Sequence, residues 1–542
     1  MFTQREFEKA KEILDASSIK KDEKNHLLFY MESASLKYAQ GRFHEAAQIF
    51  VQANELVDVL YTKSVKELLA SSIINDNSQT FYGSIFERSL LYQYQALSFY
   101  HLARRGYFYQ VKKKDGKDIE VKTLLSKDQV RSHYNRVRST LIAWDSFFQE
   151  MARMGNVKTF LKHDLLAKQM AATLHEVLAT KRDKEIALQL FKSAYQILLE
   201  LGPTQKVFNK NYEKYNADLK RAYNKGKKGK SLKSKKLTKV FGETKNYLTY
   251  KILTLTKKIR RSSYAKTLRR YKPSLTVKRK LKSNGAENIS IIIEKGLISE
   301  LKGKDFTYNL RSAVDSIESP TTRNLVNGIG VPILTYFALG PLGLGFASHH
   351  GNTTVYSRHS AGEMLTKEVG LEFELPSAKA SDEKNNYQIE VFQKEKKVLT
   401  EKLVYMSSLS DISFINSQEM IENSFKKRGT RVGLKYITAI LAAYATYKKM
   451  QDVGGELFAK PAALTQFLIS QKAIKETEKA DARHWTSLPG SLLTLGLKLI
   501  PGKYTLYFVE RSPKTKQELR RVKLDFPEVK TPVKTLFSYR TL

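Results

Sequence analysis

No proline occurs before Pro203, and across that stretch small and apolar side chains return at three- and four-residue spacing. Proline lacks a backbone donor and clashes with the preceding helical turn, so a proline-free run with this period predicts helices throughout residues 1–205. Gly and Pro together are 39 of 542 residues, far below the usual ~12%, which favours long regular elements over loops. Such a chain is committed to packed helices before any motif is considered.

Within that region, residues 35–56 place Ala39, Gly41, Phe43, Ala46, Ile49, Phe50 and Ala53 where a tetratricopeptide repeat has them. Alanine at helix crossings lets two antiparallel helices approach, Gly41 ends the first helix, and Phe43 and Phe50 fill the groove to the next pair. Looser copies span 87–108 and 184–202. Their uneven spacing predicts a degenerate helical array, with a plain antiparallel bundle as the alternative. An aromatic face including Tyr92 and Tyr100 is either a peptide groove or inter-helix core.

Charge then changes abruptly. Residues 206–282 hold 27 Lys and Arg against Glu213, Asp218 and Glu243, which is +24 of the chain's +39. The stretch 224–236, NKGKKGKSLKSKK, reads as a solvated linker, whereas the following basic–apolar alternation suits a cationic amphipathic helix. Lys227, Lys228, Lys235, Lys236, Arg260, Arg261, Arg269 and Arg270 are the candidate polyanion contacts. Such a surface attracts anionic lipid, an envelope polymer or nucleic acid, although the chain is basic elsewhere too, at +15.

After residue 283 the pattern turns to strands. ISIIIEKGLISEL (289–301) is a β-branched run closed by Gly296, GLEFELP (370–376) alternates, and 386–408 reads as a hairpin with KEKK at its tip. Residues 417–450 are helical, and 488–510 read as two strands joined by Pro501–Gly502. The uncharged stretch 326–347 is long enough to cross a bilayer, but its glycines and Pro332 and Pro341 argue for a buried strand and turn instead. The expected organisation is therefore a 1–205 helical-repeat domain, a 206–283 cationic segment and a 284–542 mixed domain with a β-sandwich-like end. The fold class is α+β.

No chemistry-bearing motif emerges. With no cysteine there is no disulfide, thiol nucleophile or thiolate metal site. GPLGLGFAS (340–348) lacks the Lys-Ser/Thr of a phosphate loop, and His349, His350 and His359 lack the further ligands a metal site needs. No catalytic residue, cofactor or metal is assigned. Trp485, beside Arg483, either covers the end of the C-terminal hairpin while Asp481 and Arg483 pair, or forms a binding platform.

Several stretches together resemble a family of uncharacterised bacterial cell-envelope proteins, often lipoproteins, with a tetratricopeptide-like N-terminal half. They are LLFYMESASLKYAQGRFHEAAQIFVQANEL, FYGSIFERSLLYQYQALSFYHLARRG, IIIEKGLISELK, GLEFELP, RGTRVGLKYITAILAAY and, most specific, DARHWTSLPGSLLTLGLKLIPGKYTL. The resemblance implies a protein of the periplasm or envelope with no established enzymatic activity. Stacked helix pairs leave extended grooves, so the expected role is a non-catalytic scaffold or protein-interaction protein with a protein partner on the helical-repeat groove, and Tyr92, Tyr100, Arg483 and Trp485 are the candidate partner contacts. The N-terminus, MFTQREFEKAKEILDAS, reads as an amphipathic helix without a signal-peptide core or lipobox cysteine, so the cytoplasm is the other expected compartment. The alternative function is nucleic-acid association through residues 206–282.

Overall fold

The computed structural model describes residues 6–67, 80–114, 117–153, 164–224, 236–282, 287–309, 370–382, 386–530 and 534–541. Helices dominate the N-terminal part and small sheets the C-terminal half, so the chain is α+β. The helices are α1 (Phe7–Ala16), α2 (Ser18–Lys21), α3 (His26–Ala39), α4 (Phe43–Glu67), α5 (Ile85–Arg105), α6 (Lys127–Arg153), α7 (Leu165–Leu178) and α8 (Lys181–Glu200). They continue with α9 (Tyr212–Asn224), α10 (Lys239–Ile259), α11 (Tyr264–Tyr271), α12 (Leu275–Lys282) and α13 (Leu409–Thr477). Of the three repeat copies expected, only 35–56 spans a helix–turn–helix; the copies at 87–108 and 184–202 fall mainly on the single helices α5 and α8.

Local signals explain several boundaries. Gly41 adopts φ +74° just after α3, as a chain turning sharply into the next helix requires. Helix α5 opens with a capping box, Ser84 and Glu87 exchanging side-chain and backbone hydrogen bonds. It closes at Gly106, left-handed at φ 72°, with Arg104 and Arg105 in the last turn where the helix dipole favours cations.

One departure from the all-helical expectation for 1–205 is an antiparallel pair, β1 (Tyr107–Lys114) and β2 (Lys117–Leu124), flanking Asp115-Gly116. Asp-Gly between alternating strands is a strong hairpin signal, and it overrides the surrounding helical period.

The remaining strands are β3 (Ile289–Lys295), β4 (Lys302–Asn309), β5 (Gly370–Ser377), β6 (Asn386–Gln393), β7 (Lys396–Lys402) and β8 (Val404–Ser408). They are followed by β9 (Ser491–Leu497), β10 (Thr505–Arg511), β11 (Glu518–Leu524) and β12 (Thr535–Thr541). A central sheet runs β12-β3-β9-β8, with β12 parallel to β3 and the other pairs antiparallel, and a second runs β11-β10-β6-β7. The hairpin expected over 488–510 is corrected: β9 and β10 belong to different sheets and do not pair. Pro501–Gly502 permits a turn, but each strand finds its partners elsewhere, β9 on β3 and β8, β10 on β6 and β11.

The central sheet is covered on both faces, which is why β3 (ISIIIEK) and β9 (SLLTLGL) carry apolar residues on both sides and are buried along nearly their whole length. Ile292, Leu492 and Leu536 join α3–α7 in one core. Ile289, Ile291, Ile293, Leu493 and Phe537 join α8, α10 and the second sheet in another. Both cores therefore draw on residues from either side of the 205/206 boundary. Helix α13 is longer than the 417–450 expected and breaks direction at Gly455, φ 71°. No helix among the described residues is long and apolar enough to cross a membrane. The stretch 326–347 and His349, His350 and His359 lie outside the described residues.

Candidate functional site

Residues 244–286 contain fourteen Lys and Arg and no acidic residue. The described part folds as α10–α12, and the reason is apolar spacing within the charge. Phe241, Leu248, Ile252 and Leu255 of α10 enter the second core. Tyr250 and Leu253, on another face, receive Val277 with Leu268, Leu281 and Tyr264 beside it. The cationic helices α11 and α12 thus spend their apolar sides on α10 and turn their charges outward. Helix α11 ends at Lys272, left-handed at φ 41°, directly before Pro273.

The outcome is a cationic face. Between Lys257 and Lys282, eleven Lys and Arg side chains are exposed, Arg260, Arg261, Arg269 and Arg270 among them, and none lies within ion-pair distance of a carboxylate among the described residues. Lys192 of α8 borders the same patch: burial first, then Arg260 and Arg270, push its ammonium below the usual range. Lys236 is exposed, while Lys227, Lys228 and Lys235 lie outside the described residues.

Beneath the face lies a charge cluster that composition did not reveal. Lys251, in the middle of α10, is 1% exposed. Its ammonium donates to Glu176 Oε2 and Glu287 Oε2, both at 2.9 Å. Lys280 of α12 lies 3.0 Å from the other Glu287 oxygen, and Lys534, just before β12, pairs with the other Glu176 oxygen. Burial alone would raise the Glu287 carboxyl, but Lys251 and then Lys280 override it and hold it at about 2. One ion cluster therefore ties α7, α10, α12 and the edges of β3 and β12 together. The sequence signal was a lone lysine inside the apolar run YLTYKILTLT (247–256), where a solvated position is not available.

The other nominated residues serve the interior. Tyr100 is buried and its hydroxyl accepts the backbone N–H of Leu536 at 2.9 Å. Trp485 is fully enclosed, its indole N–H shared by Ser35 (2.8 Å) and Ser487 (3.0 Å), its backbone N–H donated to Glu87 of the α5 capping box at 2.6 Å. Enclosed in this way, neither ring is presented to a partner, and the partner surface expected at these two positions gives way to a core role. Tyr92 is half-buried, 5.7 Å from the Phe147 ring, and burial pushes its hydroxyl to about 12. Arg483 grips Asp481 at 2.6 Å and Asn25 at 2.9 Å.

The chain matches no family model, no curated protein and no solved structure.

Proposed function

We propose that the chain is a non-catalytic scaffold that attaches to a polyanion through the α10–α12 face. One observation carries this: eleven exposed cations on and between folded helices, with no carboxylate in ion-pair range among the described residues. Like charges so placed repel one another and weaken the fold unless an external anion answers them. Surface cations that serve only solubility are ordinarily interspersed with acids. The helical layer, taken as a degenerate tetratricopeptide-like array, is the part that receives a protein partner, and the paired sheets, taken as a sandwich-like end, support it. The envelope resemblance makes anionic lipid or an acidic envelope polymer the first polyanion to consider, in the periplasm or envelope.

Nucleic-acid association is the second reading, favoured by one feature: apart from the exposed Leu275, the apolar sides of α11 and α12 pack inward, Tyr264, Leu268, Val277 and Leu281 on α10, leaving mostly charge for the ligand. A membrane-surface helix keeps its apolar side for lipid. Co-sedimentation with phosphatidylglycerol vesicles, and electrophoretic retardation of duplex DNA, separate the two. Vesicle binding that salt abolishes supports the first reading, and DNA binding alone moves the assignment to the second. Failure to bind either at low salt overturns polyanion attachment.

A further inference from the structure

A second cationic feature lies far from the helical face in character: it is concave. Where α3 and α5 cross the β12 edge of the central sheet, the chain forms an open cleft of about 750 Å³. Small-molecule sites run about 300–1,000 Å³, so the space suits an organic ligand and is far too large for a bare ion.

Its lining is unbalanced in charge. Arg104 lays its guanidinium 4.2 Å over the Phe537 ring, with Nε buried and without a hydrogen-bond partner. Arg105 gives one N–H to the Gly41 carbonyl at 2.8 Å and packs on Phe43 (4.8 Å) and Tyr107 (5.4 Å). Neither arginine has a carboxylate in ion-pair range among the described residues, and the exposed Lys523 and Lys530 add charge at the rim.

Two acids line the cleft. Glu294 is engaged, accepting the Tyr94 hydroxyl at 3.2 Å with Arg540 at 3.6 Å. Asp525 is exposed at the rim. On the floor, Ser538 Oγ meets the Tyr38 hydroxyl and His101 Nε2, each at 2.7 Å. Burial, then Arg104 and Arg105, push His101 well below its usual range, so it is neutral and adds no charge.

Partly buried guanidinium groups with no carboxylate to neutralise them are costly, and adjacent planar forks match phosphate oxygens. We propose that this cleft binds an organic polyphosphate of nucleotide size, its phosphates held by Arg104 and Arg105 and by Lys523 and Lys530 at the rim. The site is separate from the α10–α12 face and does not depend on it.

Calorimetric titration of the full chain with ATP and with inositol hexakisphosphate, at about 150 mM salt, tests this and separates a nucleotide from a cyclitol scaffold. Saturable one-to-one binding of either is expected. Arg104→Met should weaken it more than about tenfold, since each charge-assisted contact is worth that much. Lys530→Ala, which touches no core, should weaken it without affecting folding, and Arg260→Ser/Arg261→Ser/Arg269→Ser/Arg270→Ser should leave it intact. No saturable binding of either compound overturns the proposal. So does binding that the fourfold variant abolishes while Arg104→Met and Lys530→Ala retain it.

Discussion

At the scale of single residues, Lys251 and its carboxylates are the most consequential feature. Desolvating an ammonium costs several kcal/mol; the two glutamates at 2.9 Å offset most of it, with the Tyr247 and Phe191 rings 5.6 and 6.0 Å away adding a smaller share. Lys251→Met leaves each buried carboxylate with one ammonium instead of two, Lys280 for Glu287 and Lys534 for Glu176, and should cost about 3 kcal/mol, measured by chemical denaturation. Gly496 of β9 makes room for the cluster: a Cβ there would sit 1.9 Å from Glu287 Oε2. That carboxylate is held by Lys251 and Lys280 and cannot swing away freely, so Gly496→Ala should destabilise by about 1–3 kcal/mol.

The pH dependence follows from Glu287. Its folded value, about 2, lies below the ordinary 4.5, so its contribution is complete above pH 4.5 and is lost as pH falls through 2. Acid titration of Glu287→Gln should show a lower stability at neutral pH and a flatter decline over that window than the wild type. Trp485→Ala should cost about 3–5 kcal/mol, against less than about 1 for Arg483→Ala, whose ion pair is partly solvated. The importance of Trp485 was legible from its rarity, but its role was not. An indole inside a core and one on a platform look alike until its neighbours Phe50 and Tyr94 are known.

At the scale of elements, helices with strong periodicity were readable and strand partners were not. The hairpin tip at KEKK was visible, and the structure turns β6 into β7 at Lys394 and Glu395, with φ 47° and 64°. Both positions favour Asn or Gly, since a left-handed L-residue costs about 1–2 kcal/mol. Lys394→Asn/Glu395→Gly should therefore stabilise the protein by about 1 kcal/mol, seen as a raised denaturation midpoint. Strands β9 and β10 were recognised individually, yet they were assigned to each other because Pro501–Gly502 offers a turn. Turn chemistry is local, whereas pairing is decided by which apolar faces meet, and sequence alone does not carry that information. The cationic helices were legible as amphipathic; that α10 takes up their apolar faces was not.

At the scale of the whole molecule, α+β was legible because the period switches near residue 284, but independence of the parts was not. The helices α3–α7 share their core with Ile292, Trp485, Leu488 and Leu536 from the C-terminal half. Excised residues 1–205 would expose that surface to water. Near-UV circular dichroism of this fragment should be weak, and binding of a hydrophobic dye strong; a well-dispersed native fragment would contradict the shared core. The chain's net charge of +39 is likewise a property of the whole, but the proposed polyanion attachment rests on one folded face.

The most direct test of that attachment is the salt dependence of binding to anionic vesicles and to duplex DNA, in parallel for the wild type and for Arg260→Ser/Arg261→Ser/Arg269→Ser/Arg270→Ser. For duplex DNA each lost phosphate contact lowers the slope of log affinity against log salt by about 0.9, so the fourfold variant should bind with a slope shallower by about 3–4. For vesicles the same variant should lose most of its affinity at low salt. Identical affinity and slope for both proteins on either ligand would place attachment elsewhere and contradict the account.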